Sequence, residues 1–305
     1  MKAKTWKACL SALADGEWHR GEVLAQTLGL TRAAVWQRID ALRSLGVPVE
    51  SGPLGYRIPD GVYVPQPALL RDASLPIVVT EATGSTNHDV LAQSGSWGAL
   101  ALWQASGRGR RGRAWWGAPG RTLMCSVGAD LENQGQAWWG LSLAVGVVVA
   151  EFLEAQGVSV QLKWPNDLYL EQRKLGGLLI ELSGDPLGHV RVVAGLGLNL
   201  ASVSLDDAPP MAALRDVGCL WSDIATAALM SAMWQCLIEF PAQGFSSYRA
   251  RYQSRCLLTG RPVVVEGAYS VDGVCRGVDT HGQLIVETEQ GLQRVNAGEV
   301  SVRWQ

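Results

Sequence analysis

Trp6, Cys9, Leu10 and Leu13 recur at the i, i+3, i+4, i+7 spacing that lines one face of a helix. A second short helix fits Gly21 to Leu28, with Val23, Leu24 and Leu28 inward, and Gly29 then supplies a turn. Thr31 is a good N-cap for a third helix whose buried face is Val35, Ile39 and Leu42. Two short helices joined by a tight glycine turn make a helix-turn-helix. Val47 to Ile58 reads as two short strands around Ser51-Gly52-Pro53-Leu54-Gly55, so residues 1–62 predict a winged helix-turn-helix. Thr31 starts the third helix and Arg32, Ala33, Trp36, Gln37 and Arg43 lie around its outer side. Arginine and glutamine there suit phosphate and base-edge contacts in a major groove, and these six are the candidate DNA-binding residues.

Residues 63–76 hold Pro65, Pro67 and Pro76 with little periodicity and read as a linker, with a short helix around Ala68 to Arg71. Further on, apolar runs alternate with helical stretches. Ala99–Gln104, Val158–Leu162 and Val192–Leu200 read as strands, and Ala137–Ala150 as a buried helix. That helix stretch is too short for a membrane span, which needs ~20 residues. Val263–Val265, Gly273–Gly277 and Leu284–Val286 are short strands between glycine turns. The pattern predicts an α/β multidomain chain, divided here into a central part over 77–258 and a small β part over 259–305.

Composition adds limits. With 48% hydrophobic and 18% charged residues, a chain of 305 residues can build its own core. The net charge of −2 excludes a generic polycation, and residues 1–62 carry eight Lys/Arg against six Asp/Glu. So weak a positive balance binds duplex poorly alone, and dimerisation onto two half-sites is the natural remedy. Six scattered cysteines without any C-x-x-C, and only four histidines, argue against a zinc enzyme. Met1 to Leu13 is amphipathic rather than an export signal, so the expectation is a cytoplasmic protein with reduced thiols and no membrane partner.

From Val90 to Ala129 there is no acidic residue, yet five arginines, four of them in Gly107-Arg108-Gly109-Arg110-Arg111-Gly112-Arg113. Clustered like charge is unfavourable unless an anion sits there. Glycines let backbone approach a ligand, and arginines offer forks to phosphate or carboxylate. Trp115 and Trp116 follow, suited to a purine ring. A flexible loop that touches nucleic acid nonspecifically is the plainer reading of this segment alone, and it does not match a P-loop. Lys163-Trp164-Pro165-Asn166-Asp167 suits a Mg²⁺ or phosphate site, or an Asx turn held by its own side chains. Lys174 precedes Gly176-Gly177 and an apolar strand, a cation delivered into a cleft or a solvated hairpin charge. Gly195, Gly197 and Asn199 mark a strand that backbone or ligand can approach closely, and Ser85-Thr86-Asn87 caps a helix or binds ligand.

Each signal alone is modest, but their order is specific. Ser85-Thr86-Asn87, Gln104 with GRGRRGR, KWPND, RKLGG and GLGLN, behind a winged helix, resemble the biotin–protein ligase family in its form that is also a biotin operon repressor. The resemblance covers essentially the whole chain. It implies a central mixed-sheet domain related to class II tRNA synthetase and lipoate ligase cores, and an SH3-like β-barrel near the C-terminus. It implies formation of biotinyl-5′-AMP from biotin and ATP, then biotin transfer to a lysine of the biotin carboxyl carrier protein of acetyl-CoA carboxylase. It also implies repression at operator DNA by an adenylate-bound homodimer. By the family pattern Lys174, Arg110 and Asp167 are catalytic, with Asp167 the Mg²⁺ ligand. Ser85, Thr86, Asn87, Gln104, Arg108, Gly109, Arg110 and Lys174 bind biotin. Arg111, Gly112, Arg113, Trp115, Lys163, Asn166, Asp167 and Asn199 bind ATP. Ala114, Trp116 and Gly117 depart from the family's usual residues around Trp115. A lipoate-type ligase and a biotin-sensing repressor without ligase activity are the alternatives.

Overall fold

The computed structural model describes residues 6–132, 138–185, 188–202, 211–267, 270–298 and 300–304. Helices α1 (Trp6–Ala12), α2 (Gly21–Thr27) and α3 (Arg32–Ser44) precede a hairpin of β1 (Glu50–Gly52) and β2 (Gly55–Arg57). Thr31 caps α3, its Oγ1 accepting from the Ala34 N–H at 3.1 Å. Trp6, Leu10, Leu13, Leu24, Val35, Ile39, Leu42 and Ile58 form one buried cluster. Val23, expected inward, is exposed; α2 turns Leu24 and Ala25 to the core instead. With only seven residues, α2 has no room for the broader apolar face its composition suggested.

The winged helix is not a free appendage. Leu102 and Ala118 of the following domain belong to its apolar cluster, and Trp103 packs against it. The Val62 N–H donates to the Ala14 carbonyl (3.2 Å) and the Tyr63 N–H to the Gly120 carbonyl (2.9 Å). The linker contains a 3-10 turn over Pro67–Leu70, and Tyr63 Oη donates to the buried Asp223 carboxylate at 2.8 Å.

A seven-stranded mixed sheet forms the centre. Its strands are β3 (Ile77–Thr83), β4 (Trp97–Gln104), β5 (Thr122–Glu132), β6 (Gln161–Lys163), β7 (Asp167–Leu170), β8 (Arg173–Gly184) and β9 (His189–Asn199). The order is β3-β4-β5-β9-β8-β7-β6; β3 and β4 are parallel and every other pair antiparallel. Short α4 (Thr86–Leu91) packs on one face. Helices α5 (Leu141–Ala155) and α6 (Asp223–Gln243) contribute to the main core on the other.

Two sequence boundaries move. The strand expected over Val158–Leu162 pairs only from Gln161, because its partner β7 meets it at Lys163↔Asp167. The helix expected from Ala137 starts at Leu141, after Gly140 at φ 80°; Ala137 itself lies outside the described residues. By length and composition alone α6 could cross a membrane. Its buried Leu229, Met230, Met233, Leu237 and Phe240 instead make it a core helix.

After α7 (Arg249–Gln253) comes a five-stranded antiparallel sheet, ordered β13-β12-β11-β10-β14. Its strands are β10 (Pro262–Glu266), β11 (Val271–Val278), β12 (Leu284–Thr288), β13 (Gly291–Val295) and β14 (Ser301–Trp304). Val263, Val265, Cys275, Val278, Leu284, Val286 and Val302 are buried in continuity with the central core. Trp164 Nε1 donates to the Gly282 carbonyl at 3.0 Å, which ties the KWPND turn to this sheet.

Candidate functional site

Antiparallel register decides what faces the cavity. Met124, Ser126 and Gly128 on β5 lie opposite Gly197, Gly195 and Val193 on β9, and Gly177, Leu179 and Glu181 on β8 share that side. Alternate residues Leu178, Leu196 and Leu198 turn into the core, as period-two geometry requires. The two β9 glycines are demanded by contact. A Cβ on Gly195 would lie 2.1 Å from Asn87 Oδ1, and one on Gly197 would lie 2.2 Å from the Trp115 ring. The small-residue strand thus makes a floor on which α4 and the arginine loop close.

A cavity of about 630 Å³ opens over this floor. The structure brings Ser85, Thr86, Asn87, Gln104, Arg108, Gly109, Arg110, Arg111, Arg113, Trp115, Lys163, Asn166, Asp167 and Lys174 to its wall. They come from the N-terminus of α4, the end of β4, the loop after it, the β6–β7 turn and β8.

At one end lies a buried polar network. The Thr86 N–H and Oγ1 both donate to Gln104 Oε1, at 2.7 and 3.0 Å. Ser126 Oγ lies 2.7 Å from Thr86 Oγ1 and 2.6 Å from Asn87 Oδ1. The Asn87 amide donates to Glu181 Oε2 at 2.7 Å and to the Leu179 carbonyl at 3.2 Å. Arg108 stands 3.7 Å from Glu181. Ser85 makes no side-chain cap bond to α4, although it occupies the N-cap and is buried. Ser126 and Glu181 were missed in the sequence. The signal was there: Ser126 is a hydroxyl set among the apolar residues of β5, and Glu181 interrupts the apolar residues of β8 on the cavity side of the alternation.

At the other end the cations gather. Lys174 Nζ donates to Asp167 Oδ1 at 2.6 Å and stands 5.5 Å from the Trp115 ring centroid. Burial, with repulsion from Lys174 and Arg113, pulls the Lys163 ammonium down to about 8 despite the nearby Asp167. Asn166 is held by β8 rather than by an Asx turn of its own: its amide donates to the Leu178 carbonyl at 2.6 Å. Arg110 reaches across to the segment between β13 and β14. Its guanidinium donates to the carbonyls of Ala297 and Gly298, and burial lowers its pKa. Arg111 adopts φ 59°, a left-handed conformation rare outside glycine.

Two expectations are corrected. Asn199 does not reach the cavity; it is buried, and its amide donates to the Ala212 carbonyl at 3.1 Å, because its register on β9 sets it opposite Thr122 at the sheet's end. Gly112 is exposed at the loop tip and lines no part of the wall. For a magnesium ion the fit is lean. No group of three His, Cys, Asp or Glu side chains able to hold a metal occurs among the described residues. Asp167 offers one carboxylate whose Oδ1 is engaged by Lys174, so a divalent ion there would take most ligands from phosphate and water, as magnesium commonly does.

On the winged helix, Arg32, Ala33, Trp36 and Gln37 are exposed on α3, with Thr31 at its cap. Arg32 pairs with Glu22 at 2.9 Å. Arg43 is turned to the hairpin, donating to the Val49 carbonyl at 2.9 Å and to Ser51 Oγ, so it braces the wing.

Residues 79–199 match the biotin/lipoate A/B protein ligase family, residues 10–57 a helix-turn-helix domain and residues 259–303 the biotin protein ligase C-terminal domain. The chain is 35% identical to the bifunctional ligase/repressor BirA of Salmonella typhimurium and 34% identical to that of Escherichia coli, covering 96% of both partners in each case. Among solved structures, the biotin protein ligase of Aquifex aeolicus in complex with biotin and ATP superposes with a TM-score of 0.67 at 25% identity, covering 75% of this chain and 99% of that one. The chain belongs to the family of bifunctional ligase/repressor proteins built around a biotin/lipoate A/B protein ligase domain.

Proposed function

We propose that this chain is an ATP-dependent, AMP-forming biotin–[acetyl-CoA-carboxylase] ligase and a biotin-responsive repressor of biotin synthesis genes. The observation that carries the reading is the convergence on one cavity of a polar network at one end and a cation cluster around Lys174 and Asp167 at the other. The first end suits a neutral cyclic urea with donors and acceptors; the second suits a carboxylate meeting a triphosphate.

In the first step the biotin carboxylate oxygen attacks the α-phosphorus and the bond to pyrophosphate breaks. Two anions must meet, so their repulsion has to be offset by fixed positive charge. Lys174 would bridge carboxylate and α-phosphate, and Lys163, Arg111 and Arg113 would hold the outer phosphates. Trp115, packed against the glycine floor, would offer a face to adenine. Asn166 would act mainly by keeping the turn on β8, and Asp167 is the group to hold Mg²⁺, which would screen the phosphate charge. In the second step a neutral carrier lysine attacks the acyl carbon, AMP leaves and an amide forms. We divide the chain at 62/63, 76/77 and 258/259, and read the C-terminal sheet as SH3-like and the centre as class II synthetase-like. The expected setting is the cytoplasm, without a membrane partner.

Incubation with ATP, labelled biotin and a biotin carboxyl carrier domain tests the enzyme. Label should pass to the carrier. Transfer only when lipoate replaces biotin would favour a lipoate ligase, and binding without transfer would leave a sensor. Lys163 sets a pH expectation. The charged ammonium is the useful form, and it is lost as pH rises through about 8. Biotin-dependent ATP–pyrophosphate exchange should therefore lose kcat/KM for ATP above that pH, and Lys163→Arg should remove the fall. A flat profile to well above pH 9 would exclude the role.

Repression follows if the adenylate orders the loop and favours a homodimer fitted to a two-fold operator. The loop sits between Leu102 and Ala118, both packed in the winged-helix cluster, which supports a link between loop and reader. Operator affinity should rise at least tenfold with biotin plus ATP, by mass action on the dimer. Equal affinity with and without them would end the co-repressor idea.

A further inference from the structure

The C-terminal sheet contributes a side chain to the cation end of the cavity. Trp304 pairs with Val263 of β10 through its backbone, and its half-buried indole lines the same cavity as Asn166 and Asp167. Lys163 Nζ stands 4.3 Å from the centroid of that indole and 5.7 Å from the Tyr169 ring. The two rings meet edge to face, with centroids 5.4 Å apart and planes at 81°. Among the described residues Lys163 makes no ion pair, whereas its neighbour Lys174 is engaged by Asp167. An ammonium placed over an aromatic face is oriented without being neutralised, since a ring quadrupole attracts a cation but carries no net charge. A carboxylate in the same place would fix the lysine equally well and cancel the charge an incoming phosphate needs.

We propose that Trp304 is a positioning residue for the ATP half-reaction: its indole holds the Lys163 ammonium toward the phosphate end of the cavity, so that the C-terminal sheet completes the nucleotide site of the central domain. The proposal rests on the reading of Lys163 as a phosphate ligand. It separates Trp304 from an apolar plug between two domains. A plug needs volume and dryness; a cation platform needs a π face. Leucine supplies the first alone, and phenylalanine supplies both.

The test uses the full chain with Trp304→Leu, Trp304→Phe, Lys163→Met and the Trp304→Leu/Lys163→Met double variant. Biotin-dependent ATP–pyrophosphate exchange is measured against ATP concentration, with biotin affinity and thermal midpoint followed in parallel. Trp304→Leu should raise the KM for ATP by about tenfold, the scale of one desolvated cation–π contact. It should change kcat much less and leave biotin affinity intact. Trp304→Phe should recover most of the loss, and the double variant should be no worse than Lys163→Met. A Trp304→Leu protein with an unaltered KM for ATP, equal losses in the leucine and phenylalanine variants, or additive losses in the double variant would each overturn the proposal. If Lys163→Met leaves the KM for ATP unchanged, the phosphate assignment of Lys163 fails first and takes this proposal with it. If Lys163→Met is impaired and Trp304→Leu is not, only the role of Trp304 falls.

Discussion

Lys174→Ala is expected to lower biotin-dependent ATP–pyrophosphate exchange by about a thousandfold, the scale seen when a preorganised group that stabilises transition-state charge is removed. Lys174 lies at the cation end of the cavity, 2.6 Å from Asp167 and beside the Trp115 ring. In the resting protein Asp167 holds that ammonium; with substrates bound the same ammonium would face the carboxylate and the α-phosphate. The stability cost should be small. The Lys174–Asp167 pair is partly open to water, and such pairs contribute no more than about 1 kcal/mol. A thermal midpoint close to that of the parent, together with lost exchange, separates a chemical role from a structural one. Exchange within tenfold of the parent would remove Lys174 from the centre of the mechanism.

Arg110→Gly is expected to speed release of the adenylate by tenfold or more, so that proteins other than the carrier become labelled. Arg110 binds the loop to the C-terminal sheet through the Ala297 and Gly298 carbonyls. Hydrogen bonds from a charged donor are worth roughly 1.5–3 kcal/mol each, enough for that factor even if one survives by rearrangement. Glycine at 110 would also add backbone freedom beside Gly109 and Gly112, raising the entropy lost when the loop closes. Dissociation of pre-formed adenylate, followed by a chase, measures the rate directly. An unchanged rate would mean that the contact with Ala297 and Gly298 does not retain the intermediate.

The parts of the molecule legible in sequence were those that local rules determine. Thr31 announced the start of α3, the 3.6-residue period gave the winged-helix core, and the glycine-arginine run marked the loop. Apart from Gly112, the candidate residues from Ser85 to Lys174 share one cavity because the start of α4, the end of β4 with the loop after it, the β6–β7 turn and β8 open on the same side of the sheet. What escaped reading depends on partners distant in the chain. Arg110 meets residues 187 and 188 positions away, which no window of sequence reveals. Ser126 and Glu181 matter only once register sets them beside Asn87. Asn199 was misplaced because a strand-terminal asparagine near glycines looks like a ligand group until the turn at Ala212 takes its amide. Arg43, read as a DNA contact from its helical position, also donates to the wing, a partner that no helical period announces.

The strands and loop also make the winged helix a neighbour of the chemistry. Gly120, which closes the segment after the loop, accepts from the Tyr63 N–H, and a Cβ on it would lie 2.7 Å from Val62. On the reading proposed above, a loop that closed on a ligand would act next to residues that already touch the reader domain.

The most direct measurement is a crystal structure of this chain grown with biotinyl-5′-AMP. The account predicts the acyl phosphate within hydrogen-bond reach of Lys174 Nζ, the bicyclic ring beside Thr86 and Gln104, and adenine against Trp115. Density for the adenylate outside this cavity, or inside it with Lys174 still bound to Asp167 and away from the phosphate, would contradict it.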